Sequence, residues 1–426
     1  MIKILKFSEV SSAEVFARSE PTANVEDIVS EIIKTVRREG DKALYEYAEK
    51  FDKAKLDSLC VTDDEICEAI NATEPEFIEI LKTAASNIRA FHEKQKRTSF
   101  IQNEVSGVVT GQKIIPLDRA GLYVPGGTAA YPSTVLMEVI PAKLAGCREV
   151  VLVSPPNKEG KIHPAILAAA YVAGADRIFK VGGAQAIAAL AYGTETIPRV
   201  DKIVGPGNAF VAEAKKQVYG QVAIDSIAGP SEILVIADAL SNPAYVAADL
   251  LSQAEHDKNA SAVLITDSMD LATKVQAELE AQLEKLPRQE IARASIENNG
   301  KIIVSDNLKQ AIEISNELAP EHLELVMDNP FDYLDAVRHA GSIFMGRNCP
   351  EALGDYMAGP NHTLPTMGTA RFSSPLSVDD FIKKTQYTYF TREAFKELAP
   401  KVAYFAEKEG LSAHARSALI RVKEEA

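Results

Sequence analysis

Two side chains that could bind a divalent metal ion lie close together at the end of one predicted helix. Asn242 and Pro243 are typical of a helix start. The segment that follows places Gln253 and His256 three residues apart on one face, with Asp249 on the same stripe. An imidazole beside an amide oxygen is a suitable pair of metal ligands. A solvated histidine near a helix C-terminus accounts for the same pattern, so these residues alone do not decide between the two interpretations.

A carboxyl side chain and an imidazole are adjacent at Glu321 and His322. Pro320 marks the end of a predicted helix and an apolar run begins at 323, so the pair lies at a helix-to-strand corner. A neighbouring carboxylate and imidazole can supply the base and the acid of a reaction near neutral pH. A surface acidic residue that happens to precede a histidine is the competing interpretation.

Two further candidates lie in a segment rich in Gly, Pro, Asn, Thr and Ser that runs from 346 to 376. Its glycines and prolines fix a backbone path that presents Asp355 and His362 from one loop, which is more typical of a site than of a linker. Near the C-terminus, Glu409 and His414 flank a predicted helix break. An exposed terminal helix explains that last pair equally well.

Three glycine-rich turns each follow an apolar run and precede a helix, at 123–127 (YVPGG), 181–186 (VGGAQA) and 204–208 (VGPGN). Backbone N–H groups at such turns can hold phosphate oxygens or a ribose. None of the three has the spacing G-x-G-x-x-G, so the dinucleotide fingerprint is absent. The spacing by itself favours a nucleotide site only slightly over ordinary strand-to-helix turns.

Short apolar runs and amphipathic stretches alternate along the chain and predict the elements that position these residues. Two such series, the second beginning at about residue 262, indicate two α/β units with parallel sheets. Residues 22–95 and those from 378 onward are predicted to be helical. The predicted strands are 150–153, 178–181, 202–204, 232–237, 262–266, 301–304, 323–326 and 342–345, and the first series has predicted helices at 163–174, 183–192 and 207–218.

Composition and charge exclude several classes of protein. The formal net charge of −14 argues against a nucleic-acid-binding protein. The chain has no run of eighteen apolar residues and no signal-peptide pattern at its start, so we expect neither membrane insertion nor export. The four cysteines are widely spaced without a C-x-x-C pair. That spacing predicts a reduced, cytoplasmic protein in which any metal is bound by histidine, carboxylate or amide groups.

Ten segments resemble the histidinol dehydrogenase family and follow the family's order along residues 118–418. They are RAGLYVPGG, STVLM, PAKLAGC, VGGAQAIAALAYGT, IVGPGN, IAGPSE, LLSQAEHD, APEHLE, GDYMAGPNHTLPT and EGLSAHARS. Each motif is weak alone, but ten in order make the resemblance specific. It implies an α/β fold of two incomplete Rossmann-like units, similar to aldehyde dehydrogenases, with helical N-terminal and C-terminal segments.

The resemblance also implies a domain organisation and a subunit arrangement. We expect a helical segment at 1–110, an NAD-binding unit at 111–237, a second unit with the zinc and catalytic residues at 238–376, and a helical segment at 377–426. Family members are intertwined homodimers with shared active sites. The last segment is therefore expected to contribute to the site of the partner subunit.

The family binds one zinc ion per subunit, and the positions that match its ligands here are Gln253, His256, Asp355 and His414. This set of nitrogen and oxygen donors agrees with the lack of paired cysteines. In the family the metal orients the substrate rather than ionising water, because the imidazole and amino groups of histidinol complete its coordination.

The implied reaction is the oxidation of L-histidinol through L-histidinaldehyde to L-histidine, which ends histidine biosynthesis and consumes two NAD⁺. His322 matches the general base, and Glu321 matches the carboxylate that activates water for attack on the aldehyde. Positions that hold polar groups of the substrate match Ser231, His362 and Glu409, together with the metal ligands and His322. Positions that contact NAD match Tyr123, Gln185 and Asn208. Glu409 and His414 are expected to come from the neighbouring subunit.

Three alternatives stay open. A relative with the same zinc site could oxidise another small alcohol, although the presence of Ser231, His362 and Glu409 favours histidinol. A zinc-stabilised structural protein would need no acid–base pair beside its metal. An enzyme with a cysteine nucleophile would use Cys147 or Cys349, and neither has a basic neighbour in sequence that would lower its pKa.

Overall fold

The computed structural model of the protein describes residues 1–18, 24–126 and 130–423. Gly127, the last residue of the predicted YVPGG turn, lies outside the described residues. The chain divides into two compact units. The first comprises Met1–Gln95 with Leu117–Phe381, and the second comprises Lys96–Pro116 with Ile382–Ala426.

Helices and strands alternate through most of the first unit. In chain order the described strands are β1 (Lys3–Lys6), β2 (Phe100–Gln102), β3 (Val108–Pro116), β4 (Arg119–Tyr123), β5 (Glu149–Ser154), β6 (Arg177–Lys180), β7 (Lys202–Val204), β8 (Ala223–Ile224), β9 (Glu232–Ala237), β10 (Ser261–Thr266), β11 (Lys301–Val304), β12 (His322–Val326), β13 (Ser342–Met345) and β14 (Ile382–Phe390). The described α-helices are α1 (Ser12–Val15), α2 (Glu26–Glu39), α3 (Asp41–Tyr47), α4 (Asp63–Ala72), α5 (Pro75–His92), α6 (Pro132–Ala145), α7 (Pro164–Ala173), α8 (Gly183–Tyr192), α9 (Ala209–Val218), α10 (Pro243–Ala254), α11 (Met269–Leu283), α12 (Gln289–Asn299), α13 (Leu308–Leu318), α14 (Phe331–Leu334), α15 (Glu351–Tyr356), α16 (Arg392–Lys408) and α17 (Ser412–Leu419).

A five-stranded parallel sheet forms one half of the first unit, with strand order β6-β5-β4-β7-β8. Along β5, Val150 and Leu152 pack against helices α5 to α7, and Val151 and Val153 pack against α2, α8 and α9. Successive side chains of a strand point to opposite faces, so an apolar residue at every position is what two covered faces require.

A six-stranded parallel sheet forms the other half, with strand order β1-β11-β10-β9-β12-β13. Ile233 and Val235 of β9 pack with helices α10 to α12, and Leu234 and Ile236 pack on the opposite face with α13. Helix α10 begins as expected, because Pro243 occupies its first turn and the Asn242 side chain accepts a hydrogen bond from the Ala244 N–H at 2.9 Å.

Each parallel sheet has a point at which its strand order reverses, and parallel sheets commonly bind ligands at the carboxyl ends of strands there. In the five-stranded sheet that point lies between β4 and β7, and in the six-stranded sheet it lies between β9 and β12. At the second of these points Arg347 pairs with Asp238 at 2.7 Å and Asp328 at 2.8 Å and donates to the Ser241 hydroxyl at 2.7 Å.

The second unit consists of an antiparallel sheet, β14-β3-β2, and the helices α16 and α17. Its buried apolar cluster is formed by Ala403, Ala406 and Ala415. Such small side chains bury little apolar area, and the strand β14 has exposed residues at all seven interior positions. The unit therefore has a small core and a large accessible surface.

The predicted α/β class with two parallel sheets and flanking helices is confirmed, and all eight predicted strands are present. The prediction of helices from 378 onward is wrong over Ile382–Phe390, which pairs with Val108–Pro116 as a strand. The irregular segment 346–376 contains the short helix Glu351–Tyr356. Strand Lys3–Lys6 was not predicted, and the predicted domain boundaries stay a prediction. Within the described ranges, no helix has the length and apolarity that a membrane crossing requires.

Candidate active site

The adjacent Glu321 and His322 lie at the amino-terminal edge of the six-stranded sheet. His322 is the first residue of β12 and stands opposite Ile233 of β9, so the pair faces the peptide of Glu232. Both side chains are buried, with exposed fractions of 6% for Glu321 and 4% for His322. The competing interpretation of an ordinary surface pair is therefore wrong.

The hydrogen bonds of His322 define its tautomer. Its Nδ1 lies 3.0 Å from the carbonyl oxygen of Glu232. A carbonyl oxygen only accepts, so Nδ1 carries the proton and Nε2 of the neutral ring has a free lone pair. Nε2 is buried, and among the described residues it has no hydrogen-bond partner. An unpaired buried nitrogen is costly unless a ligand uses it, which is the arrangement expected of a general base.

Glu321 is held by the backbone of the same residue, Glu232. Its Oε2 accepts a hydrogen bond from the N–H of Glu232 at 2.9 Å and lies 3.8 Å from Nδ1 of His322. Burial raises the pKa of Glu321 well above its ordinary value, and the charges of Glu232 and Asp355 raise it further, against the lowering effect of the N–H donor. A carboxylate whose pKa is raised is a stronger base than an exposed glutamate.

Gln253 and His256 lie where helix α10 ends. Gln253 is 1% exposed, and its Oε1 is buried without a hydrogen-bond partner in the described part of the chain. His256 lies two residues after the last helical residue, Ala254, and is exposed in this chain. Desolvation by its surroundings lowers the pKa of His256, while the charge of Asp355 opposes that shift. A buried amide oxygen with no donor beside it fits a metal ion, and the two nitrogen and oxygen donors suit zinc.

Asp355 and His362, predicted to be presented by one loop, are in contact. Their Oδ1 and Nδ1 atoms are 3.5 Å apart, and Nε2 of His362 lies 3.3 Å from the hydroxyl of Thr134 on helix α6. Burial raises the pKa of Asp355, but the hydrogen bond and charge of His362 outweigh burial and leave that pKa below its ordinary value. His362 therefore contacts elements of both parallel-sheet halves.

One residue of this site was missed from the sequence. Glu351 is 2% exposed, its Oε1 lies 4.0 Å from Nε2 of His322, and its Oε2 accepts a hydrogen bond from Ser252 at 2.9 Å. Burial and then the charge of Asp355 raise the pKa of Glu351 to about 7. The candidate ligand atoms of His322, Glu351 and Asp355 all lie within 4.8 Å of one another, which makes them a second possible metal-binding set. The i, i+4 spacing of the two acidic residues was the available signal.

A buried amide anchors the loop that presents His362. Asn361 is 4% exposed, and its Nδ2 donates to the carbonyl of Met137 at 2.7 Å. Its Oδ1 accepts from the N–H of Thr363 at 2.9 Å. His92 is fully buried and lies 3.4 Å from the same amide. These contacts fix the backbone on both sides of His362.

The remaining predicted substrate and metal residues occupy two places. Ser231 directly precedes β9 and is half-buried. Glu409 and His414 belong to the second unit, where one caps helix α16 and the other lies on α17, and both are exposed. They are not among the residues that the first unit brings together around Glu321 and His322.

The three residues predicted to contact NAD lie at the carboxyl edge of the five-stranded sheet. Tyr123 ends β4, and its hydroxyl accepts a hydrogen bond from the Gly183 N–H at 3.0 Å. Burial raises the pKa of Tyr123 to about 12, so its hydroxyl keeps its proton. Gln185 is buried in the first turn of α8. Asn208 caps α9, where its side chain accepts from the N–H groups of the second and third residues that follow it.

A buried ionic cluster lies under the VGPGN turn. Lys215 pairs with Asp225 and donates to the carbonyl of Gly205 at 2.9 Å, and Asp225 accepts from the Gly205 N–H at 2.8 Å. Glu138 is fully buried beside them, and burial, with the charge of Asp225, raises its pKa well above the ordinary value. A Cβ at Gly205, where φ is 120°, would lie 2.2 Å from the carbonyl oxygen of Tyr123, so the turn requires glycine.

The four cysteines are free, as their spacing predicted. Cys147 is 6% exposed, and its thiol lies 3.8 Å from the carbonyl of Phe381. Burial, aided by the charge of Asp201, raises the pKa of Cys147 to about 12. A thiol with a raised pKa is a poor nucleophile, which argues against a thiol mechanism at this position.

Comparison with known proteins gives one consistent family. The histidinol dehydrogenase family model matches residues 17–422. The histidinol dehydrogenase of Clostridium acetobutylicum is 55% identical over 406 residues, covering 95% of this chain and 94% of the relative. That of Syntrophotalea carbinolica is 53% identical over the whole of both chains. The crystal structure of histidinol dehydrogenase from Elizabethkingia anophelis is similar with a TM-score of 0.93 and 42% identity, covering 99% of this chain and 97% of that one.

Proposed function

This chain belongs to the histidinol dehydrogenase family of NAD-dependent oxidoreductases, and from that premise we propose that it oxidises L-histidinol to L-histidine with two NAD⁺ and one zinc ion per subunit. The observation that carries the proposal is the buried, unpaired Nε2 of His322 beside Glu321. A dehydrogenase of an alcohol and then of an aldehyde needs both a base for the alcohol and a base for water.

In the first oxidation, Nε2 of His322 takes the hydroxyl proton of histidinol while a hydride passes from the same carbon to the nicotinamide. The products are histidinaldehyde, NADH and the protonated ring. The hydrogen bond from Nδ1 to the Glu232 carbonyl supports this role, because it keeps Nε2 as the accepting nitrogen and stabilises the imidazolium that forms.

In the second oxidation, Glu321 takes a proton from water as the water oxygen attacks the aldehyde carbon. The protonated His322 returns its proton to the aldehyde oxygen, which gives the hydrate and restores the neutral ring. The hydrate then loses a hydride to a second NAD⁺ and a proton to His322, and histidine results. The N–H of Glu232 supports the role of Glu321, since it holds one carboxylate oxygen and leaves the other for water.

Gln253, His256, Asp355 and His414 are the residues that would hold zinc. When bound, zinc supplies a Lewis acid that orients the imidazole and amino groups of the substrate. The unpartnered Oε1 of Gln253 supports this ligand set. In the second possible set, Nε2 of His322 would bind the metal and would no longer be available as the base.

Ser231, His362 and Glu409 are proposed to hold polar groups of histidinol, and Tyr123, Gln185 and Asn208 to contact NAD. The cofactor assignment is supported by the strand order, which reverses between β4 and β7. Tyr123 is the last residue of β4, and Asn208 lies in the turn after β7. The amino-terminal end of helix α9, which Asn208 caps, also lies at that edge.

We further propose a homodimer in which Glu409 and His414 of one chain complete the site of the other. The surface of the second unit supports this arrangement. Val402, Tyr404 and Phe405 of α16 are 45–67% exposed, although the unit buries little apolar area of its own. Exposed aromatic side chains on a unit with so small a core indicate an interface. The cytoplasmic location stays a prediction.

The first experiment is a count of NADH formed from a limiting amount of L-histidinol by the zinc-loaded protein. Two NADH per histidinol are expected, with loss of activity on chelation and recovery with zinc. His322→Asn should lower kcat by about three to four orders of magnitude with zinc still bound. His339→Asn, at a half-buried histidine to which no catalytic, metal or substrate role is assigned, is the matched control. One NADH per histidinol would remove the role given to Glu321.

Metal content distinguishes the two ligand sets. Gln253→Ala should lower the zinc bound per chain, measured by mass spectrometry, and Glu351→Gln should leave it near one. The opposite pattern would assign the metal to His322, Glu351 and Asp355. Absence of NADH from the zinc-loaded dimer would refute histidinol as the substrate and favour another alcohol.

A further inference from the structure

The backbone of Glu232 supports both proposed catalytic side chains. Its N–H donates to Oε2 of Glu321 at 2.9 Å, and its carbonyl accepts from Nδ1 of His322 at 3.0 Å. A displacement of this one residue would therefore move both groups, and it would also release the ring from the tautomer that exposes Nε2. The residue that holds Glu232 in place consequently acts on the reaction without touching the substrate.

Arg18 contacts both chain segments that meet here, the start of strand β9 and the end of helix α13. Its Nη1 lies 3.0 Å from Oε1 of Glu232, the first residue of β9. Its Nη2 donates to the carbonyl of Leu318, the last residue of α13, three positions before Glu321. One guanidinium group therefore bridges the start of β9 and the corner that leads into β12. Arg18 lies far from both in sequence, in the segment that precedes the first long helix.

The corner that Arg18 holds is strained. Ala319 has φ 46°, in the left-handed region that a residue with a Cβ rarely adopts. A conformation of this kind persists only where the surrounding contacts over-determine it, and such positions are common at active sites. The contact between Arg18 and the preceding carbonyl is one of the interactions that maintain it.

The ion pair lies in a poorly solvated place. The side chain of Glu232 is 9% exposed and that of Arg18 is 25% exposed. Burial raises the pKa of Glu232 to about 7, while the charge of Arg18 and a hydrogen bond from the Met367 N–H act in the opposite direction. Without Arg18 the carboxylate would take up a proton or move toward water. Removal of either partner of such a pair leaves the other charge without compensation in a poorly solvated place.

We propose that Arg18 is a positioning residue for the dehydrogenase reaction. Through Glu232 and the carbonyl of Leu318 it holds Glu321 and His322 in the geometry that both oxidation steps require. The inference rests on the proposed roles of that pair. It assigns a part in catalysis to an N-terminal arginine that the sequence motifs do not include.

The test compares Arg18→Met and Arg18→Lys with a matched control that contacts the same helix, α13. Arg371 donates to the carbonyl of Glu317 at 3.0 Å and pairs with its carboxylate at 2.7 Å, but both side chains are exposed and neither contacts Glu232. Arg371→Met therefore removes the same charge and the same kind of carbonyl contact, at the neighbouring residue of α13, without affecting the proposed support.

Arg18→Met should lower kcat for histidinol by about 10- to 100-fold, because a displacement of about 1 Å at the reacting groups has an effect of that size. KM for histidinol and for NAD⁺ should change by less than about threefold, since no contact with either substrate is removed. Arg371→Met should keep kcat within about twofold of wild type. Arg18→Lys should fall between, because an ammonium group reaches the carboxylate but does not bridge to the carbonyl.

A double-mutant cycle with Glu232→Gln tests the route of the effect. If Arg18 acts through Glu232, the double variant Arg18→Met/Glu232→Gln should have the same kcat as the slower single variant, within about twofold. Equal losses of kcat and of melting temperature in Arg18→Met and Arg371→Met would overturn the inference, as would additive losses in the cycle or an unchanged kcat. If Arg18→Met does not fold, Arg18→Lys and Glu232→Gln decide by the same comparison. A wild-type protein that fails to oxidise histidinol refutes the proposed function instead.

Discussion

Removal of the Lys215 ammonium group should destabilise the first unit far more than removal of any surface lysine. Lys215 is 1% exposed, pairs with Asp225 and donates to the carbonyl of Gly205. Burial and the charge of Asp225 raise the pKa of the neighbouring Glu138, and the charge of Lys215 acts in the opposite direction. Lys215→Met retains most of the side-chain volume, so the change isolates the loss of charge and of the hydrogen bond.

The size of the effect follows from what the substitution leaves behind. Asp225 would stay buried without its counter-charge, and breaking a buried pair in this way costs about 3–5 kcal/mol. The unit formed by Met1–Gln95 and Leu117–Phe381 has about 360 residues. With an unfolding entropy of about 2.1 cal/mol/K per residue, that cost corresponds to a fall in melting temperature of about 4–7 °C.

The assay is differential scanning fluorimetry of Lys215→Met beside Lys216→Met. Lys216 is the next residue of the same helix, its side chain is 57% exposed, and its ammonium group lies 3.4 Å from Glu213. The exposed pair contributes at most about 1 kcal/mol, so the control should melt within about 1 °C of wild type. The double variant Lys215→Met/Asp225→Asn should recover part of the loss, because no buried charge is then left alone.

Two results would refute this reasoning. Equal melting temperatures for Lys215→Met and Lys216→Met would mean that the buried pair contributes no more than a surface pair. A double variant less stable than Lys215→Met would mean that the uncompensated charge of Asp225 is not the source of the cost.

A rise in KM for NAD⁺ in Lys215→Met is also expected, since the Gly205 turn leads into Asn208.

Three further predictions concern buried groups around the site. The pKa of Glu138 is raised in the folded chain above its ordinary value of about 4.5, so the free energy of unfolding falls as the pH rises toward the raised pKa, by up to about 1.4 kcal/mol per pH unit. Glu138→Gln should therefore flatten the fall in melting temperature between about pH 6 and 8.5. Parallel curves of melting temperature against pH for the variant and the wild type would contradict this prediction. Asn361→Ala leaves a buried carbonyl and an N–H unpaired and should lower the free energy of unfolding in urea by about 2–4 kcal/mol. The control Asn87→Ala removes an exposed 2.8 Å hydrogen bond to a carbonyl of the same loop region and should cost less than about 1 kcal/mol. Equal costs for the two variants would contradict this prediction. Gly354→Ala places a Cβ 2.5 Å from the Phe344 ring. The cost of overpacking, about 1–3 kcal/mol, should exceed the gain in helix propensity of about 1 kcal/mol, so the melting temperature should fall. A higher melting temperature would contradict this prediction.

Local patterns were sufficient for the parallel-sheet halves. The runs at 202–204, 232–237, 301–304 and 342–345 are strands with the predicted bounds, and 183–192 is a helix with the predicted bounds. These strands are mostly covered on both faces, so every position after the first residue is apolar, and that pattern is visible in a short window of sequence. Strand β14 has no such pattern, because its side chains are exposed, and its pairing with β3 joins segments far apart in the chain.

The candidate site likewise has a part that the sequence predicted and a part that it did not. The sequence by itself determined which residue types are present in family order, including the Glu321–His322 pair and the Gln253–His256 spacing. Only the tertiary structure decided that the carbonyl of Glu232 holds Nδ1 of His322, that Glu351 lies beside the same ring, and that Arg18 supports both. The physical reason is that these contacts depend on the register between β9 and β12 and on a side chain hundreds of residues away. Hydrogen bonds between such distant segments leave no periodic signal in the chain that makes them.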